Sequence, residues 1–363
     1  MKPKIVLPNY DRCLVNISSS ILRRFNIKDE HKTLKELDEI LPNYKKVILV
    51  LFDGLGSFIM DKHLDKNSFL QSHKKCDISS VFPPTTAAAT TSLLTCKNPN
   101  ETGWLGWHMY FKEIDKDLVM FRNEGYYNDE KEENYSYKYL PIVDILSIIK
   151  DNKYITKRIN SFDGLDSLND FENEILKFDN EVDEGFMYAY HTNPDHLMHL
   201  KGTNSSEVHD LIIDIDKMME DLSERISDDS LVIMVADHGH IDCELINLYL
   251  DENIKNNLVV KPYCDNRATM FRVKDKNKFY DYFKHTYGGV FDLYSKEEVL
   301  EKKLFGNFEN NPKFYDLLGD FIAIGKGHYY LDYIENEPFV LKSVHSGYTE
   351  QEMIVPLVLI NRR

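Results

Sequence analysis

Cysteine is scarce in this chain: five among 363 residues, at Cys13, Cys76, Cys96, Cys243 and Cys264, with no CxxC pair. An odd, scattered set argues against a disulfide framework and predicts reduced thiols in a cytoplasmic protein. Long apolar runs are also missing. No stretch reaches the ~18 apolar residues of a membrane-spanning helix, and the opening MKPKIVLPNYDR lacks the apolar core of a signal peptide. Positive charge is in deficit, with 44 Lys and Arg against 60 Asp and Glu, a formal net charge of -16. Bulk attraction to a nucleic-acid backbone is therefore excluded. An anionic substrate would be repelled unless something local reverses the field, as bound divalent cations do. Internal repeats and low-complexity tracts are absent. What is present is ample material for a core, 42% hydrophobic and 12% aromatic, in a length that suits one large domain or two smaller ones.

Two pieces stand out, VILVLFDGLG (47–56) and LVIMVADHGH (231–240). Each is an apolar run of strand length ending in an aspartate and a glycine, so Asp53 and Asp237 are expected at the carboxyl ends of buried strands. That edge is where open α/β sheets place their ligands. A third strand-to-loop transition, GFMYAYHTNPDHLMH, ends at Asp195. SSEVHDLIIDIDKMMEDLSERI reads as an amphipathic helix, and IVPLVLI as a last strand. Alternating strand and helix predict a three-layer α/β/α architecture with a central, mainly parallel sheet. Residues 1–45 read as an N-terminal helical extension, 46–363 as the main domain, and 274–340 as a possible smaller subdomain. The charged, tyrosine-rich stretch 112–140 reads as a surface hairpin or loop.

The potential hard-metal ligands that follow a strand or open a helix are Asp53, Thr86, Asp195, His199, Asp237, His238 and His345. Asp195 and His199 are four apart and project together on a helical turn. Three carboxylates and three imidazoles divide into two mixed oxygen and nitrogen sites, which suit zinc, with manganese as the alternative where carboxylate dominates. Two such cations can polarise a phosphoryl oxygen and activate a nucleophile. PPTTAAATTS supplies a hydroxyl at a helix N-terminus, where backbone N–H groups favour a phosphate. Other residues weigh toward plainer roles. His240 and His196 read as solvent and loop histidines, Cys96 as buried in a helix, and Trp104 and Tyr110 as packing as readily as stacking. Asp265, Asn266 and Arg267 offer either a substrate-binding arginine or a turn.

Together these motifs resemble the alkaline phosphatase superfamily, most closely its type I phosphodiesterase/nucleotide pyrophosphatase branch. The resemblance covers residues 46–110, 185–240 and 343–360. LFDGLG matches the first metal aspartate, FPPTTAAATTSLLTC the nucleophile segment with its threonine at Thr86 (Thr85 if the register slips by one), Asp195 and His199 the DxxxH pair, ADHG the pair Asp237 and His238, and His345 the late histidine. The resemblance implies an alkaline-phosphatase-like fold with two divalent cations. One would be held by Asp195, His199 and His345, the other by Asp53, Asp237, His238 and the Thr86 oxygen. It implies cleavage of a phosphodiester or pyrophosphate bond in a small-molecule phosphate ester, through a phosphothreonine. The chain departs from the family at Cys96, where glycine is usual, at Ser346 between His345 and the glycine, and at Trp107, which stands at the phosphate-binding asparagine. That contact would pass to Trp107's neighbour His108 or to backbone N–H groups. A phosphomonoesterase, a phosphonate hydrolase or another phosphotransferase is the alternative within the superfamily, and a non-catalytic metal-binding or interaction protein the alternative outside it.

Overall fold

The two apolar runs form adjacent central strands because neither has a polar face to give to water. In the computed structural model, which describes residues 4–336 and 339–362, Lys46–Phe52 and Ser230–Val235 are buried along their whole length. They lie in a six-stranded sheet ordered 74–79, 354–360, 230–235, 46–52, 185–191, 155–160. Lys46–Phe52 pairs in parallel with both Gly185–His191 and Ser230–Val235. Ile354–Ile360 alone runs opposite to the other five strands. The register sets Phe52 opposite His191 and Leu51 opposite Val235, so the three strands end level with one another. Asp53, Asp195 and Asp237 all leave from that one edge.

Two groups of helices cover the sheet. Ser206–Arg225 starts on Ser205, whose side chain accepts the Val208 N–H at 3.3 Å, and buries Val208, Ile212, Ile215, Met219 and Leu222. It packs on Leu168–Glu181 and Phe69–His73. On the other side Thr86–Thr95 packs on Leu14–Arg24 and Ile145–Asp151. The helix Leu14–Arg24 is thus built into the core. Leu14, Val15, Ile17 and Ile21 are fully buried in the same core as the central strands, and Arg24 pairs with Glu184 at 2.9 Å.

A second, antiparallel sheet has the order 291–295, 321–325, 268–271, 263–264, 108–111, 116–119, 124–125. The stretch 112–140 supplies Lys116–Val119, which forms a hairpin with His108–Phe111, and it also holds a short helix, Tyr135–Tyr139. Segment 274–340 contributes only two of the seven strands. The smaller layer is therefore discontinuous in sequence, with its other strands drawn from 108–125 and 263–271.

Candidate metal centre

Asp53 follows its strand into Gly54 at φ 75°. A β-carbon there would also sit 2.9 Å from the His240 ring and 3.0 Å from Asp195 Cβ, so glycine is required on both counts. The next glycine, Gly56, would meet Gly239 Cα at 2.5 Å. The two strand-end motifs thus press directly on each other. The helix Asp195–Lys201 begins on Asp195 and carries His199 one turn later.

Two clusters result. In the first, Asp53, Asp237 and His238 bring donor atoms within 4.8 Å of one another. His238 Nε2 is 3.3 Å from Asp53 Oδ1 and 3.5 Å from Asp237 Oδ2. Thr86, the first residue of its helix, places Oγ1 3.3 Å from His238 Nε2 and 3.4 Å from Asp53 Oδ2. Thr85 is the N-cap, and its buried hydroxyl has no partner. Tyr190 donates its hydroxyl to Asp53 Oδ2. In the second cluster Asp195, His199, His240 and His345 converge. Their Nε2 atoms lie 3.3, 2.5 and 3.7 Å from the single oxygen Asp195 Oδ1.

His240 is the residue the sequence reading misplaced. It is fully buried rather than in solvent. The motif DHGH holds a signal for this, since residues i and i+2 of an extended segment face the same side.

The outer contacts fix which nitrogen each ring presents. Nδ1 of His199, His345 and His238 lies beside the carbonyl oxygens of Ser343, Pro84 and Gly239 at 2.8, 3.1 and 3.2 Å. Each Nδ1 therefore carries the hydrogen, and each Nε2 turns a lone pair inward. For His240 the partner is Ser343 Oγ at 3.1 Å. Ser343 Oγ donates its own hydrogen to the Met198 carbonyl at 2.8 Å, so it accepts from His240 Nδ1–H. The His240 Nε2 lone pair then faces a carboxylate oxygen at 2.5 Å. Two lone pairs that close repel unless a positive charge lies between them.

Electrostatics make the same demand. Burial, with the charges of Asp237 and Asp195, pushes the Asp53 carboxyl well up, and burial with Asp195 pushes Asp237 to about 7. Burial drives His238 and His345 down to about 4 and lowers His240. His238, His240 and His345 are thus neutral donors, whereas at His199 the charge of Asp195 more than offsets burial and raises the ring above its ordinary value. Burial opposes the charge on Asp195, but His199 and His240 more than offset it and hold Asp195 below the usual range. Asp53 Oδ1 and Asp237 Oδ2 are buried with no hydrogen-bond partner. Unpartnered carboxylate oxygens beside inward-facing nitrogen lone pairs fit divalent cations, and zinc tolerates this donor set.

The remaining residues fall outside the clusters. Arg267 is not a substrate arginine: it is fully buried, and its Nε and NH2 reach Glu352 at 2.7 and 2.9 Å. Its neighbour Asp265 lies close enough for its charge to act on His345, His199 and His238. His108 Nδ1 bonds Asp117 Oδ1 at 2.8 Å and the ring stacks on Tyr126 at 3.6 Å. The Trp107 ring lies under Arg122, Trp104 is buried with its indole N–H on the Leu140 carbonyl, and His196 is exposed. Among the described residues, neither Trp107 nor His108 hydrogen-bonds a member of the two clusters.

Comparison with known proteins gives the same picture. The sequence model of the type I phosphodiesterase / nucleotide pyrophosphatase family matches residues 47–147 and 134–349. No curated protein matches the chain. Among solved structures, murine ectonucleotide pyrophosphatase/phosphodiesterase 5 superposes with a TM-score of 0.65 at 18% identity, covering 86% of this chain and 87% of that one. Phosphonoacetate hydrolase from Sinorhizobium meliloti, in complex with phosphonoformate, gives 0.66 at 15% identity, covering 88% and 91%. No helix among the described residues is long and apolar enough to cross a membrane. The chain therefore belongs to the type I phosphodiesterase/nucleotide pyrophosphatase family of the alkaline phosphatase superfamily, and is a metal-dependent phosphoester hydrolase.

Proposed function

We propose that the protein hydrolyses a phosphodiester or pyrophosphate bond in a small-molecule substrate, with Thr86 as nucleophile. The observation that carries this reading is Thr86 Oγ1, set between Asp53 and His238 at a helix N-terminus. There the first backbone N–H groups are free to bind phosphate oxygens. Thr86 Oγ1 forms the new bond to phosphorus as the leaving oxygen departs on the opposite side. Water then cleaves the bond between Thr86 and phosphorus and restores the hydroxyl. An inactive threonine-to-alanine form of the murine relative has been solved in complex with AMP, which supports a threonine in this role and a nucleotide-like ligand.

Asp53, Asp237, His238 and Thr86 would hold one cation, and Asp195, His199 and His345 the other, joined by His240. Bound there, divalent cations would polarise the phosphoryl group and lower the pKa of the threonine hydroxyl and of water. The nitrogen-rich second cluster favours zinc over manganese. Three ligand carboxylates and Asp265 together carry -4, which the +4 of two divalent cations balances. No surplus positive charge remains for a dianionic monoester, and Arg267 is committed to Glu352. A monoanionic diester fits that balance better. All five cysteines are free, which supports the cytoplasm as its compartment.

The test is hydrolysis of bis-p-nitrophenyl phosphate against p-nitrophenyl phosphate with added zinc or manganese. The diester is expected to have the higher kcat/KM, with zinc the better cation. A clear preference for the monoester would contradict the assignment. His240→Ala is expected to weaken metal retention about 10–100-fold, measured as metal content after dialysis against a chelator of known strength. Unchanged retention would remove His240 from the site.

A further inference from the structure

A second kind of metal-ligand set meets where the N-terminal segment crosses the far end of the Thr86–Thr95 helix. Asp29, His31 and Cys96 each offer one donor atom, and these lie within 4.8 Å of one another. Cys96 caps that helix at φ 55°, a left-handed conformation that glycine adopts at no steric cost. Its side chain is fully buried, 3.6 Å from the Val15 carbonyl oxygen and within hydrogen-bonding reach of Asp29. The His31 ring is buried and held flat against Phe308, 4.1 Å between centroids. Its Nδ1 is 2.7 Å from Asp29 Oδ1, and its Nε2 is 2.8 Å from Glu101 Oε2. Glu101 is itself fixed by the Asn98 N–H at 2.8 Å.

An imidazole between two carboxylates has two descriptions. It is an imidazolium bridging two anions, or a neutral ring whose Nε2–H is held by Glu101 while Nδ1 faces a cation. The thiol distinguishes them. It stands beside Asp29, on the Nδ1 side, so a cation held by Nδ1 and the Asp29 carboxylate also meets sulfur. A carboxylate gripping the outer nitrogen is the arrangement that orients metal-bound histidines, and a sulfur, nitrogen and oxygen set suits zinc.

We propose that Asp29, His31 and Cys96 form a third metal site, which takes one zinc ion with Glu101 holding His31 from behind. Binding converts the thiol to thiolate and the imidazolium to imidazole, releasing two protons to solvent. The site lies at the opposite end of the helix from Thr86, about 15 Å away at 1.5 Å per residue. Its role is to tie residues 29–31 to the helix that carries the nucleophile.

Zinc content and cobalt spectra test this. Protein equilibrated with zinc and desalted is expected to hold one more equivalent per chain than Cys96→Ser or His31→Gln, with kcat toward the diester unchanged in both. Cobalt-substituted wild type is expected to show a near-ultraviolet thiolate-to-cobalt charge-transfer band that Cys96→Ser lacks. This reading does not depend on folding of a variant, since the wild-type band stands alone. Equal zinc content in wild type and Cys96→Ser, or cobalt protein with no thiolate band, overturns the proposal and leaves His31 as a bridging imidazolium.

Discussion

Thr86→Ala is expected to lower kcat toward a phosphodiester by at least about 10³-fold, the scale on which losing a covalent nucleophile registers. The fold should survive. Thr86 begins its helix but does not cap it, and Ala87, Ala88 and Ala89 behind it are fully buried in their own right. Thr85→Ala is the matched control. Its hydroxyl is buried without a partner and makes no cap hydrogen bond, so removing it leaves kcat within a few-fold. Steady-state kinetics of the two variants, with circular dichroism to confirm folding, separate the registers. A Thr86→Ala enzyme as active as wild type would put the nucleophile elsewhere.

Arg267→Met should be the most destabilising single change outside the metal clusters, by about 3–5 kcal/mol, because it strands a buried carboxylate. Arg267 and Glu352 have fully buried side chains joined by two hydrogen bonds. Arg267 also ties down the carbonyls of Gly327 and Tyr329 at 2.8 and 2.6 Å. Glu352 in turn accepts the Gly347 N–H at 2.7 Å, in the loop that begins at His345. Urea unfolding should show the loss, and metal content should fall with it as His345 loosens. The pH dependence has a definite sign. Burial alone would raise the Glu352 carboxyl, but Arg267 more than offsets this and holds it below its ordinary 4.5. A depressed folded pKa contributes stability that is present above the unfolded value and is lost as pH falls through the folded value. The gap between wild type and Arg267→Met is therefore largest near neutral pH and narrows in acid, first above 4.5 as the stranded, burial-raised carboxyl of the variant takes up a proton, then below 4.5 as wild type loses the ion pair. A gap that stays constant with pH would mean the pair contributes packing and not charge.

The site was legible in the sequence where chemistry coincides with a local pattern. Asp53 and Asp237 end apolar runs, Asp195 and His199 share a helical turn, and all are where those patterns place them. His345 needed its order along the chain, since its own neighbourhood carries no strong pattern. His240 was missed because burial by the Asp195 helix and Ser343, distant in sequence, decides its role. Arg267 read as available because its partner lies 85 residues downstream. The same limit hid the second sheet. Pairing of Cys264 with His108 joins segments more than 150 residues apart, and nothing in either segment alone specifies the other. Leu14–Arg24 showed its helical spacing plainly, but the helix it packs against, Thr86–Thr95, is made mostly of small Ala, Thr and Ser residues buried on nearly every side and gives no directional signal.

The central claim is a double displacement through Thr86. The stereochemical course at phosphorus tests it most directly, using a phosphorothioate diester of known configuration hydrolysed in isotopically labelled water. Two in-line displacements, first by Thr86 and then by water, predict overall retention. Inversion would mean that water attacks the substrate directly and that Thr86 is a metal ligand or helix residue without a covalent role.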